Sequence, residues 1–146
     1  MPPLRYARRQ WGTILYVIVG LLMTPLVIFQ VLEGNWAVAS VILATVGLTL
    51  LLFGSLLVTV DAEQVRLSFG VGVIQRRIPL SQVLDSKPVQ NRMWWGYGIR
   101  LTPHGWMWNI AGLQAVELTL ASGRHFRIGT GEPEALNNAI ASAKAG

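Results

Sequence analysis

His104 and His125 are the only imidazoles in the chain, and cysteine is absent. Each histidine lies at or beside a turn signal with no paired carboxylate near it in sequence. A general base with an orienting partner, a thiol nucleophile and a thiolate metal site therefore all lack their parts. There is no G-x-S-x-G nucleophile elbow and no phosphate-cradling P-loop. Gly96-Tyr97-Gly98 has neither the third glycine nor the following helix of a dinucleotide fingerprint. We expect no catalytic residue, no metal, no cofactor, no small-molecule substrate and hence no enzyme.

Binding chemistry is better represented. Arg66, Arg76 and Arg77 flank a Gly-rich turn at 70–72, and arginine forks match phosphate oxygens, which makes these three candidate contacts for anionic lipid headgroups. The competing account, ordinary solvated strand residues, is the favoured one. The stretch 91–98 has no periodicity. It holds Arg92, Trp94 and Trp95 between glycine hinges, the composition of an exposed anchor more than of a strand. Trp94 and Trp95 are accordingly expected in an intermolecular contact with Arg92 at its polar rim. For these rings, and for Trp106 and Trp108, core packing is an equal alternative.

These residues hang from an apolar hairpin. No formal charge occurs between Arg9 and Glu33, or between Glu33 and Asp61, and each gap exceeds the ~20 residues that cross a bilayer as a helix. With 52% hydrophobic and 13% charged residues and a mean hydropathy of +0.46, the chain is too apolar for an ordinary soluble domain. We expect spans over 11–32 and 36–60, joined by the polar turn 33–36, with Pro25 bending the first. The first run is too long for the apolar region of a signal peptide, so cleavage after Ala37-Val38-Ala39 is not expected. Ser40, Gly47 and Gly54 recur every seven residues on the second span. Small side chains allow close helix approach, to the first span by preference or else to another subunit. No charged side chain lies deep in either span, which argues against a transporter.

Residues 1–10 read as a short basic tail. Arg5, Arg8 and Arg9 place it, and the basic C-terminal part, on the cytoplasmic side of an inner membrane. The net charge of +5 gathers beside the membrane, so nucleic acid is not an expected partner. Residues 61–146 form one small domain. Val65, Leu67 and Phe69 alternate with polar residues, the run 73–80 returns as a second strand, and further strands follow near 84–89, 99–102, 106–110, 116–120 and 126–128. Arg76 shares parity with Ile74 and Ile78, which requires either a bulge or a snorkelling side chain. Glu132-Pro133-Glu134 opens a terminal amphipathic helix over about 132–145. The fold class is α+β: a membrane hairpin, then an antiparallel barrel or sandwich of about six or seven strands capped by a helix.

The segments WGYGIR at 95–100, AVELTL at 115–120, Gly123-Arg124 and RIGT at 127–130, followed by Glu132, Pro133 and Leu136, resemble the bacterial pleckstrin-homology (PH)-like membrane proteins. These have two spans followed by a PH-like domain. The resemblance covers essentially the whole chain through the order of its pieces. It implies a strongly bent, seven-stranded antiparallel sheet with a C-terminal helix and no agreed enzymatic activity. Eukaryotic PH domains that bind inositol phosphates place basic residues at the first hairpin, where this chain has Arg66, Arg76 and Arg77 but no basic-rich loop. The expected function is a membrane-anchored interaction or assembly module. It would bind a membrane protein partner or further copies of itself, with headgroup reading as the alternative.

Overall fold

The computed structural model describes residues 3–110 and 112–146; Met1 and Pro2 of the expected tail lie outside them. Tyr6–Trp11 is a strand, β1, followed by α1 (Thr13–Leu32), α2 (Trp36–Phe53) and β2 (Ser55–Val60). β1 pairs antiparallel with β2 from Tyr6↔Val60 to Trp11↔Ser55. At the foot of the helices the Gly12 amide donates to the Gly54 carbonyl at 2.9 Å. The helical hairpin is therefore inserted into a β-hairpin, and three expectations change. The residues read as a tail form an edge strand, the second helix stops at Phe53 instead of residue 60, and the β domain starts before the helices.

Physical reasons account for each difference. β1 turns Tyr6, Arg8 and Gln10 toward the inner face, where polar partners await them. Gln10 Nε2 donates to the Gly129 carbonyl at 2.7 Å, and Arg8 pairs with Glu132. An inward face made of polar residues hides the strand from any hydropathy pattern. β2 lies between β1 and β3 and is largely buried, so it reads as an apolar run that continues the helix without a break.

Both helices are long and apolar enough to cross a membrane; at ~1.5 Å per residue they measure about 30 and 27 Å. They meet along Leu15, Val19, Met23 and Val27 of α1 and Ala39, Ile42, Val46 and Leu50 of α2, the less exposed positions at i, i+3 and i+4 spacing. α1 runs unbroken through Pro25. Gly34, with φ +76°, turns the chain, and the Asn35 amide donates to the Gln30 carbonyl at 2.8 Å.

Seven more strands follow: β3 (Gln64–Phe69), β4 (Ile74–Pro79), β5 (Val83–Gln90), β6 (Gly98–Thr102), β7 (Gly105–Asn109), β8 (Gln114–Leu120) and β9 (His125–Gly129). The helix α3 (Pro133–Ala145) ends the chain. One sheet has the order β1-β2-β3-β4 and the other β5-β8-β9-β7-β6. Among the described residues this makes nine strands in two sheets: the seven within 61–146 agree with the six or seven expected there, and β1 and β2 are additional. The second sheet is mixed because β7 pairs parallel with β9. Pro88 falls within β5 and does not end it, since β5 is a sheet edge where the missing donor is harmless.

The core lies between the sheets: Leu56, Val58, Val65, Leu67 and Phe69 face Val116, Leu118, Phe126, Ile128 and Trp108. Leu136, Ile140 and Ala143 of α3 close one end of it. The β3–β4 turn is wedged against the last turn of α2. There Gly70, with φ +54°, lies so close to the Leu51 and Leu52 carbonyls that a Cβ would collide with them.

Candidate functional site

The outer face of the second sheet, opposite the core, carries a second buried layer that is polar. Glu117 and Arg127 are register partners on β8 and β9. The Arg127 Nε donates to Glu117 Oε2 at 2.7 Å and its Nη1 to Asn91 Oδ1 at 3.1 Å, and all three residues are buried. Lys87 Nζ and His125 Nδ1 stand 3.8 and 3.6 Å from the other carboxylate oxygen. Burying an ion pair is costly unless its remaining hydrogen-bonding positions are filled. Here the linker between β5 and β6 covers it. Asn91 anchors the linker by donating its amide to the Leu113 carbonyl at 2.6 Å. The Trp95 ring then lies 5.0 Å from the Arg127 guanidinium carbon and packs edge-on to His104 at 5.7 Å.

The two adjacent tryptophans thus separate. Met93–Trp95 is a single 3-10 turn, in which neighbouring side chains diverge by about 120°. Trp95 points down onto the sheet and is half-buried. Met93 and Trp94 point away, 77% and 74% exposed, and Arg92 stacks on the Trp94 ring at 5.2 Å. Of the expected contact residues, Arg92 and Trp94 are presented together and Trp95 forms their base. Trp108 is in the core and Trp106 is partly exposed.

Arg66, Arg76 and Arg77 do not converge. β3 and β4 pair without a bulge, so Arg76 faces inward opposite Leu67, its guanidinium 4.7 Å from the Phe126 ring centre. That cation–π contact at the open edge of the sheets is what accommodates the charge there. Arg66 and Arg77 sit directly opposite one another on the other face. Such like-charge neighbours repel unless an anion lies between them.

The small-residue stripe also divides. Ser40 and Gly47 are exposed, and a Cβ on Gly47 would meet no atom within 4 Å. They stand away from α1, against the preferred expectation of packing between the spans. Gly54 does serve close approach, because a Cβ there would strike the Tyr16 hydroxyl.

Glu117 and Arg127 escape sequence reasoning because alternation assigns them to a solvated face, and Asn91 because it lies in a stretch without periodicity. The register that joins Glu117 to Arg127 depends on a three-residue turn, 121–123, closed by the Leu120 amide on the Arg124 carbonyl at 2.9 Å; counting outward from Ser122-Gly123 alone sets Glu117 opposite Ile128 instead. Among the described residues no cluster of three or more histidine, aspartate or glutamate side chains is placed to hold a metal. Burial raises the Tyr6 phenol above its ordinary range, so at neutral pH it is an uncharged hydroxyl and not a base. Comparison with known protein families, with curated proteins and with solved structures finds no match.

Proposed function

We propose that this chain is a non-enzymatic interaction module of PH-like type, anchored by α1 and α2 in the inner membrane, with its β domain on the cytoplasmic face. Its docking surface is the turn that carries Arg92, Met93 and Trp94. The observation that supports this is the construction of that turn. A buried ion pair, a buried asparagine and the Trp95 ring fix it from beneath, and a large apolar pair is left in solvent above. An aromatic ring held rigid before binding loses little entropy when a partner covers it, which is how tryptophan anchors act in interfaces. The domain joins the helices through β1 and β2 without a linker, so the partner is a protein in or on the same membrane, further copies of the chain included.

The test is site-specific photo-crosslinking in membranes. A photoreactive phenylalanine analogue in place of Trp94 should give a discrete higher-mass adduct, while the same analogue at Ser122, in an exposed turn of the β domain, should not. Equal yields at the two positions, or no adduct at Trp94, would remove the turn as a docking surface. The geometry gives Arg66, Arg76 and Arg77 no common pocket and so does not favour headgroup reading by those three residues.

A further inference from the structure

Where β1 enters α1, a cavity of about 290 Å³ opens between the first sheet and the helical hairpin; Arg9, Ser55, Tyr16, Gly47, Leu50 and Leu51 are among its walls. A second hollow of about 240 Å³ shares Tyr16 and Leu50 with it and continues between the helices past Met23, Leu43 and Val46 as far as Ile28. From Tyr16 to Ile28 the groove runs about 18 Å at the helical rise of ~1.5 Å, comparable to the ~15 Å of hydrocarbon in one leaflet. Beyond the mouth its walls are apolar apart from Thr24.

The mouth is cationic. Arg9 Nη1 donates to the Ser55 Oγ at 3.1 Å and, at the limit of hydrogen bonding, to the Gly70 carbonyl at 3.4 Å. Both partners are neutral. Arg8, by contrast, is ion-paired with Glu132, and Arg5, which donates to the Ser142 carbonyl, is not among the walls of the groove. Among the described residues no carboxylate lies within ion-pair distance of Arg9. Trp11 beside it is exposed, with its ring 5.9 Å from the Arg9 guanidinium, and an indole at this level is characteristic of the headgroup region. Gly47 contributes the absence of a side chain: the space over it is open, which explains a glycine that packs against nothing.

We propose that this groove holds one anionic phospholipid, its phosphate against the Arg9 guanidinium and the Ser55 hydroxyl, and one acyl chain lying over Gly47 and Leu50 toward Leu43. The inference rests on the membrane anchoring proposed above. An unpaired cation over an apolar slot of one-leaflet depth is complementary to a lipid that carries net negative charge. A zwitterionic headgroup brings its own cation to the same place and gains less.

The full chain, purified in mild detergent, is titrated with phosphatidylglycerol and with phosphatidylcholine of the same acyl chains, and bound lipid is counted by native mass spectrometry. The wild-type chain should retain one phosphatidylglycerol with about a tenfold preference, the equivalent of ~1.4 kcal/mol. Arg9→Gln should abolish the preference, Gly47→Leu should abolish retention by filling the slot, and Arg124→Gln, in an exposed turn, should change neither. Equal retention of both lipids, an unchanged preference in Arg9→Gln, or a loss in Arg77→Gln instead would overturn the site while leaving membrane anchoring intact. A chain that stays monodisperse without detergent would overturn the anchoring, and the lipid site with it.

Discussion

Neighbouring residues of one chemical type do opposite work in this protein, and the 3-10 turn at Met93–Trp95 is the reason. Trp95→Ala removes a half-buried ring from above Arg127, and should cost about 2 kcal/mol, below the ~3–5 of a fully buried aromatic. Trp94→Ala removes an exposed ring and should stay within ~0.5 kcal/mol while losing self-association or co-purifying membrane partners. Thermal unfolding in detergent separates the two, and a large loss of stability in Trp94→Ala would make it a packing residue. Beneath them, Glu117→Gln leaves the buried Arg127 without its counter-charge and should cost about 3 kcal/mol. Replacing both members, Glu117→Leu with Arg127→Met, should cost less than the single change, because no buried charge is then uncompensated. If the double variant is the less stable, the pair is a net stabiliser and the desolvation argument fails.

At the scale of elements, legibility followed the character of each face. Strands whose apolar and polar residues alternate, β3 and β8, announce themselves by that pattern even where, as at Glu117, the polar face is covered, and α3 does so by its apolar stripe. Two kinds of element do not. β1 hides because its inner face is polar, and β2 hides because its largely buried, mostly apolar run is indistinguishable from the end of α2. The parallel pairing of β7 with β9 was not legible either, since pattern identifies strands and not their neighbours. The small-residue stripe misled for a related reason: spacing places Ser40, Gly47 and Gly54 on one side of a helix but does not say what covers that side. Gly47→Leu should therefore leave the thermal stability in detergent nearly unchanged. Gly54→Leu, which must displace Tyr16, should lower it by about 1–3 kcal/mol, the usual cost of overpacking. Equal effects at both positions would return Gly47 to the helix interface.

For the whole molecule, the decisive feature is the closed joint at Gly12 and Gly54. Because β1 pairs with β2 along its full length, the strand before α1 and the strands β2–β4 after α2 belong to one sheet and must share one side of any membrane the helices cross. The pairing forbids an odd number of spans on geometric grounds alone, before charge is considered. In the anchoring proposed above, charge then chooses the side. Arg5, Arg8 and Arg9 precede α1, whereas the turn between the helices carries Glu33 and no cation, and basic residues stay on the cytoplasmic side. The cysteine-free chain makes this readable with single cysteines and an impermeant thiol reagent. In intact cells Asn35→Cys, in the turn between the helices, should label, and Arg5→Cys and Ser122→Cys should both be protected until the membrane is opened. The reverse pattern would invert the orientation and keep the joint. Labelling of Arg5→Cys without Ser122→Cys would break the joint itself, since it would set β1 and the rest of the β domain on opposite sides of the bilayer.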